Sequence, residues 1–140
     1  MSKDAPINAL VIDTPFIVRI LRGEKTWEMR SRNCSIRGTI ALIRKGSGCV
    51  VGLADIVGVK GPFTPEEMLA HQDKHRISTE RLSDPSVAKW NRAWVLENVR
   101  ILSEPVPYIH RPGAQSWVVL NEEARAGIAA QIQHPRCGLT

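Results

Sequence analysis

The order of apolar runs, turn signals and helix caps predicts an α+β fold: a small, mostly antiparallel β-barrel of about five strands with flanking helices. Three observations carry this expectation. The runs GTIALIRK (38–45) and CVVGLADIVGV (49–59) flank Gly46-Ser47-Gly48, so two β-rich segments meet about a short glycine turn and form a hairpin. Strand and helix signals follow the order β-α-β-β-β-α-α-β-β-α, which lacks the regular βαβ alternation of a parallel sheet. Finally, the 140 residues contain no repeat, low-complexity tract or linker. A single domain is expected over 1–140, with its core at about 9–132 and a tail at 133–140.

Each element has its own signal. Residues 9–13 (ALVID) form a short apolar run suited to a first strand. Thr14-Pro15 then reads as a cap followed by proline at the first helical position, and Phe16, Ile17, Ile20 and Leu21 fall at helical spacing. Gly23 sits where a left-handed C-terminal cap belongs. Residues 26–32 alternate as a strand, with Glu28 and Arg30 on one face and Trp27 and Met29 on the other. After the hairpin, Thr64-Pro65-Glu66-Glu67 starts a helix to about residue 75, and Asp84-Pro85 starts a shorter one toward Trp90. Residues 94–102 read as a strand, 105–113 as a proline-rich loop and 116–120 as the last strand. Asn121-Glu122-Glu123 opens an alanine-rich helix to about residue 132.

Composition narrows the class of protein. Hydrophobic and charged contents of 43% and 24% fit a globular domain, and no apolar run approaches the roughly 20 residues that span a bilayer. No membrane partner is expected. Met1-Ser2-Lys3-Asp4 lacks the basic-then-apolar pattern of a secretory signal. Cys34, Cys49 and Cys137 are odd in number and unpaired in spacing, which suits reduced thiols and a cytoplasmic location. The net charge of +5 lies in the first 60 residues, with ten Lys/Arg against five Asp/Glu there and nine against nine in 61–140. Between Arg19 and Lys45, eight basic side chains stand against two acidic ones. A local positive field of this kind attracts phosphate backbones; a merely solubilising basic surface is the alternative.

The densest part of that stretch is ILRGEKTWEMRSR (20–32), where Gly23, Lys25, Glu28 and Arg30 follow the spacing G-x-K-x-x-E-x-R. This resembles the signature of the ASCH domain, a branch of the PUA-like superfamily. The segments IALIRKGSGCVVGLADIVG, AHQDKHRI and WVLENVRILSEPVPY resemble its small bacterial and phage-associated members. The likeness runs from about residue 9 to 120. It implies a PUA-like barrel with a cleft beside the first helix, lined by the signature. It also implies a partner that is RNA, another nucleic acid or a modified nucleoside.

In such a cleft Lys25 would contact phosphate, or act as a base if desolvation lowered its pKa. Glu28, acceptor-only when ionised, would receive a nucleobase amine, and Arg30 would pair with it or fork onto a phosphate. The structural alternative is a Lys25–Glu28–Arg30 ion-pair network that pins strand to helix. Arg32, Arg44 and Lys45 are candidate phosphate contacts, Tyr108 a candidate base-stacking wall, and Gln115 a base-edge reader or a plain loop residue. Trp94 and Trp117 lie on predicted strands and belong to the core. His71, Asp73 and His75 form H-x-D-x-H, but zinc takes three or four ligands and His110 is the one loop histidine that suggests itself as an addition. No metal and no cofactor are expected. Serine triads, P-loops and GxGxxG are absent from the sequence.

Three functions follow. The first is a binding module, with nucleic acid on the basic face and a single nucleobase, modified or not, in the cleft. The second is a hydrolase, because ASCH proteins similar to this chain include amidohydrolases that deacetylate acetylcytidine with a threonine, a lysine and a glutamate. Lys25 matches that lysine, but Glu28 stands where the threonine belongs. Thr26 is two residues away, which shifts a hydroxyl by about 6–7 Å along a strand. The helical acid maps near Asp73 or His75. Without the threonine, water activated by Glu28 or Lys25 would have to attack. The third is a metal-independent ribonuclease, with Lys25 and Arg30 stabilising a phosphorane while His75 or Glu28 moves the 2′-hydroxyl proton. Lys25, Glu28 and His75 are therefore the catalytic candidates if the protein is an enzyme.

Overall fold

The computed structural model describes residues 5–133. Along the chain run β1 (Asn8–Ile12), α1 (Phe16–Leu21), β2 (Trp27–Arg30), β3 (Gly38–Arg44), β4 (Cys49–Lys60), α2 (Pro65–Ala70), α3 (Gln72–His75), α4 (Thr79–Leu82), α5 (Pro85–Ala88), β5 (Arg92–Pro107), β6 (Trp117–Val119) and α6 (Glu122–Gln133). The six strands form one sheet in the order β2-β5-β4-β3-β1-β6, curled into a half-barrel with helices on its flanks. β1 pairs β3 in parallel and the other neighbours are antiparallel. The α+β class is as the sequence predicts, with six strands where about five were expected.

Strand alternation sorts the core. Leu10 and Ile12 of β1 and Ile40 and Leu42 of β3 turn to α1, where Ile17 and Ile20 meet them. Their neighbours Ala9, Val11, Ala41 and Ile43 turn the other way, onto Ala124 and Ile128 of α6. Central strands apolar on both faces are what a covered sheet requires. A third cluster packs Trp27 and Met29 of β2 against Met68 of α2, Ile77 of the α3–α4 link and Val87 of α5. The hairpin forms in the expected place, with Ile43 opposite Val50.

Several local expectations are corrected. Thr14 does not cap α1: Pro15 occupies the N-cap with no side-chain cap bond, and the Thr14 N–H donates to Asp13 Oδ1 instead (3.1 Å). Thr64 does cap α2, in a reciprocal box with Glu67. That helix ends at Ala70, however, and α3 restarts after His71, so the single helix expected to residue 75 is two. α4 had no counterpart in the sequence reading. β5 continues into the expected loop, to Pro107, because β4 pairs it as far as Cys49 opposite Pro107, while β2 flanks its other side only at Arg92–Val95. Beyond that point its far edge carries no strand among the described residues, and proline's missing N–H is tolerated there. Gln131 of α6 covers part of this edge by bonding both the N–H and the carbonyl of Glu104. Of the expected tail, residues 134–140 lie outside the described residues.

Candidate functional site

The chain leaves α1 through a glycine turn. Gly23 has φ +78°, its N–H donates to Ile20 O (3.0 Å), and the Glu24 N–H donates to Arg19 O (2.9 Å). This crossed pair of bonds is the Schellman closure that only a left-handed residue allows. It sends Lys25 inward: the side chain is 2% exposed. Lys25 Nζ donates to the carbonyls of Trp27 (2.6 Å) and His75 (2.7 Å), and lies 4.9 Å from the Phe16 ring centroid. Burial draws its pKa down from 10.5 to about 8; the Glu28 carboxylate works against that shift, while Arg30 and Arg19 add to it.

The two oxygens of Glu28, a residue only 7% exposed, have different surroundings. Oε2 accepts from Arg30 Nε and is 3.0 Å from both Nε and Nη2. Oε1 lies 3.7 Å from Lys25 Nζ, beyond hydrogen-bond distance, and meets no nearer donor among the described residues. Glu28 therefore keeps one acceptor oxygen available.

Arg30 also holds the barrel together. Its Nη1 donates to Ser116 Oγ (3.1 Å), its Nη2 to Val11 O (3.0 Å), and its Cζ sits 5.4 Å from the Trp94 ring centroid. β2 and the β1–β6 pair lie at opposite ends of the sheet. One side chain thus bridges the open seam of the half-barrel. Trp94 of β5 stacks on Trp117 of β6 across the same seam, with centroids 5.8 Å apart and planes at 18°.

Beside this network lies a cavity of about 260 Å³. Lys25, Glu28 and Arg30 form one wall, Asp13, Thr14 and Phe16 a second, and Ile77, Arg81 and Trp90 a third, with Lys45 and Gln115 at the rim. Arg81 Cζ lies 5.4 Å from the Phe16 ring centroid and 6.0 Å from that of Trp90. Aromatic faces, fixed cations and one open carboxylate oxygen meet in a single recess.

The family model of the ASCH domain matches residues 10–106, a span that contains the signature and most of the cavity wall. The chain belongs to the ASCH domain family. This is in general a PUA-like, RNA-binding fold. Solved structures agree in fold. The crystal structure of an ASCH protein from Zymomonas mobilis superposes with a TM-score of 0.68 at 16% identity, covering 88% of this chain and 93% of that one. A substituted variant of the same protein gives 0.67 at 17% identity, covering 88% and 96%. Among curated proteins, none matches the chain.

In this ASCH domain, Lys25, Glu28, Arg30 and Lys45 come together at the cavity. His75 does not reach it. Its ring is fully buried, with Nε2 bonded to Met68 O (2.7 Å) and Nδ1 accepting the Ile77 N–H (2.9 Å). The Nε2–H tautomer satisfies both bonds at once. Burial foremost holds its pKa below the ordinary 6.5, against the Met68 bond. Only its backbone serves the site, through the carbonyl that binds Lys25. Arg32 follows β2 as an exposed residue whose carbonyl accepts from Trp94 Nε1, and Arg44 ends β3 in solvent. Tyr108 lies outside this cavity, with its hydroxyl bonded to His110 Nδ1 (2.9 Å). His71 packs its ring against Trp27 and Phe63, and among the described residues no three metal-ligating side chains gather.

Sequence reading missed Phe16, Arg81 and Trp90 as wall residues. Local sequence marks Phe16 only as part of a helical stripe. Arg81 stands on a four-residue helix too short to show a period. The one usable signal for α4 was Ser78, whose side chain accepts from the Arg81 N–H.

Proposed function

We propose that this ASCH domain is an RNA-binding module that takes one nucleobase into the cavity beside Glu28, next to a basic rim. The carrying observation is Glu28 Oε1, which has no partner within hydrogen-bond distance among the described residues and only the Lys25 ammonium, 3.7 Å away, as its neighbouring charge. A carboxylate held through Oε2 by Arg30 offers a rigid acceptor at a fixed place, which suits an exocyclic amine of a base. Trp90 and Phe16 supply aromatic wall, while Lys45 and Arg81 supply positive charge at the mouth. Titration with ribonucleoside monophosphates tests the reading. Amine-bearing bases should bind more tightly than uracil, and Glu28→Gln should weaken the preferred one by about tenfold with fold retained. Equal binding of all four bases, or an unaffected Glu28→Gln variant, would overturn it.

A second reading, hydrolysis of a modified nucleoside such as acetylcytidine, is favoured by one observation. With a pKa near 8, Lys25 is partly a free amine at mildly alkaline pH and stands 3.7 Å from a carboxylate. Release of acetate that Lys25→Ala abolishes would support it; no turnover by the unaltered protein would end it.

A further inference from the structure

A second recess of about 590 Å³ adjoins the first, and Val11, Lys45 and Gln115 line both. We propose that this chain binds two successive nucleotides of a polynucleotide strand, with the second base against Tyr108 and the connecting phosphate at Lys45. The proposal rests on the single-base reading of the first cavity and extends it to a polymeric ligand.

Each recess has an aromatic wall, Trp90 in the first and Tyr108 in the second. Tyr108 is half-buried and packs against the core cluster beneath α6, so its ring is braced from behind. The bond from its hydroxyl to His110 Nδ1 and the edge-on His110 ring (5.8 Å, 70°) fix its orientation. A braced ring offers a stacking face with little ordering left to do on binding. The cation between the recesses is weakly held. Lys45 Nζ is 3.9 Å from Asp13 Oδ2 and both side chains are 65% exposed, a surface pair that a phosphate readily replaces. The turn glycines Gly46 and Gly48 leave the rim of the second recess free of side chains at those positions. A free nucleoside would fill one recess and leave the other empty. Two bases joined through one phosphate match both recesses and the charge between them.

The test compares affinities of the full chain for ribonucleoside 3′- and 5′-monophosphates with those for the ribodinucleotides, by calorimetric titration. Monophosphates carry the charge that Lys45 reads, so any gain on going to the dinucleotide reports the second base. The best dinucleotide should bind at least about tenfold more tightly than its component monophosphates. Tyr108→Ala should remove that gain and leave monophosphate binding unchanged, whereas Tyr108→Phe, which keeps the ring, should retain it. Dinucleotides that bind no better than monophosphates overturn the second subsite while the first stands. So does a Tyr108→Ala variant that weakens both ligand sets equally, or a Tyr108→Phe variant that loses the gain. Failure of both ligand sets to bind overturns the single-base reading as well.

Discussion

Replacing Arg30 by alanine tests whether this signature arginine is a seam clasp or a free phosphate ligand. In the folded protein its guanidinium meets Glu28 Oε2, Ser116 Oγ and Val11 O, so the substitution strips donors from three acceptors at once. The critical one is Glu28, whose side chain is 9% exposed. Removing one partner of a buried pair destabilises by about 3–5 kcal/mol, because the other charge stays buried. Arg30 itself is 21% exposed and Lys25 Nζ remains 3.7 Å from Glu28 Oε1, which places the expected loss at the low end, about 3 kcal/mol. For a chain of this size that corresponds to a Tm lower by about 10 °C. Urea unfolding of Arg30→Ala, Glu28→Gln and the double variant is the assay. The double variant should be more stable than the sum of the two single losses implies, by about 1–2 kcal/mol, since neutralising Glu28 removes the stranded charge. A loss below about 1 kcal/mol for Arg30→Ala, or strict additivity, would refute the clasp and return Arg30 to the pool of phosphate ligands.

Two further outcomes concern pH. Lys25 titrates near 8 in the fold against 10.5 ordinarily, so between these values the unfolded chain holds the extra proton and stability rises with pH. The contribution is up to about 3 kcal/mol, read as a difference in slope between the unaltered protein and Lys25→Met; parallel slopes would contradict a buried Lys25. His75, held below 6.5 by burial, gives the same sign lower down. Stability should fall as pH drops below about 6.5, more steeply than in His75→Gln, as followed by thermal melts.

The part of the site written on one short segment was legible. Strand alternation paired Glu28 with Arg30 and Trp27 with Met29, which share a core cluster although Met29 also lines the cavity, and Gly23 marked the turn that delivers them. The burial of Lys25 was not, because a lysine flanked by Glu24 and Thr26 reads as solvent-facing. What buries it is the α2–α3 break, which brings the His75 carbonyl to its ammonium. The opposite cavity wall comes from residues 77, 81 and 90, brought there by tertiary packing. The fold followed the same rule. The β3–β4 hairpin was plain in local sequence, whereas the parallel pairing of β1 with β3 joins residues such as Leu10 and Leu42, about which local pattern is silent. Pro105 and Pro107 read as loop because proline weakens a ladder; the short partner β2 makes them acceptable in β5.

These placements change what the basic stretch between Arg19 and Lys45 means. Lys25 and Arg30 point inward and spend their donors on backbone and Glu28. Arg19 pairs with Glu24 at 3.5 Å, and Arg37 donates to the carbonyls of Cys34 and Ile36. Half of the eight basic residues are therefore engaged within the fold. Lys45 is the member of the stretch that stands at the cavity rim, and the other exposed cation of the cavity, Arg81 on its third wall, comes from outside the stretch altogether. On the proposed single-base reading, recognition divides by chemistry: an immobilised carboxylate for the base, exposed cations for the phosphate. Because Arg30 clasps the seam with no ligand present, Glu28 is already oriented, and on that reading the ordering cost of binding falls mainly on the exposed Lys45. A signature that looks like a patch of charge is, in the fold, a scaffold with one oxygen left open.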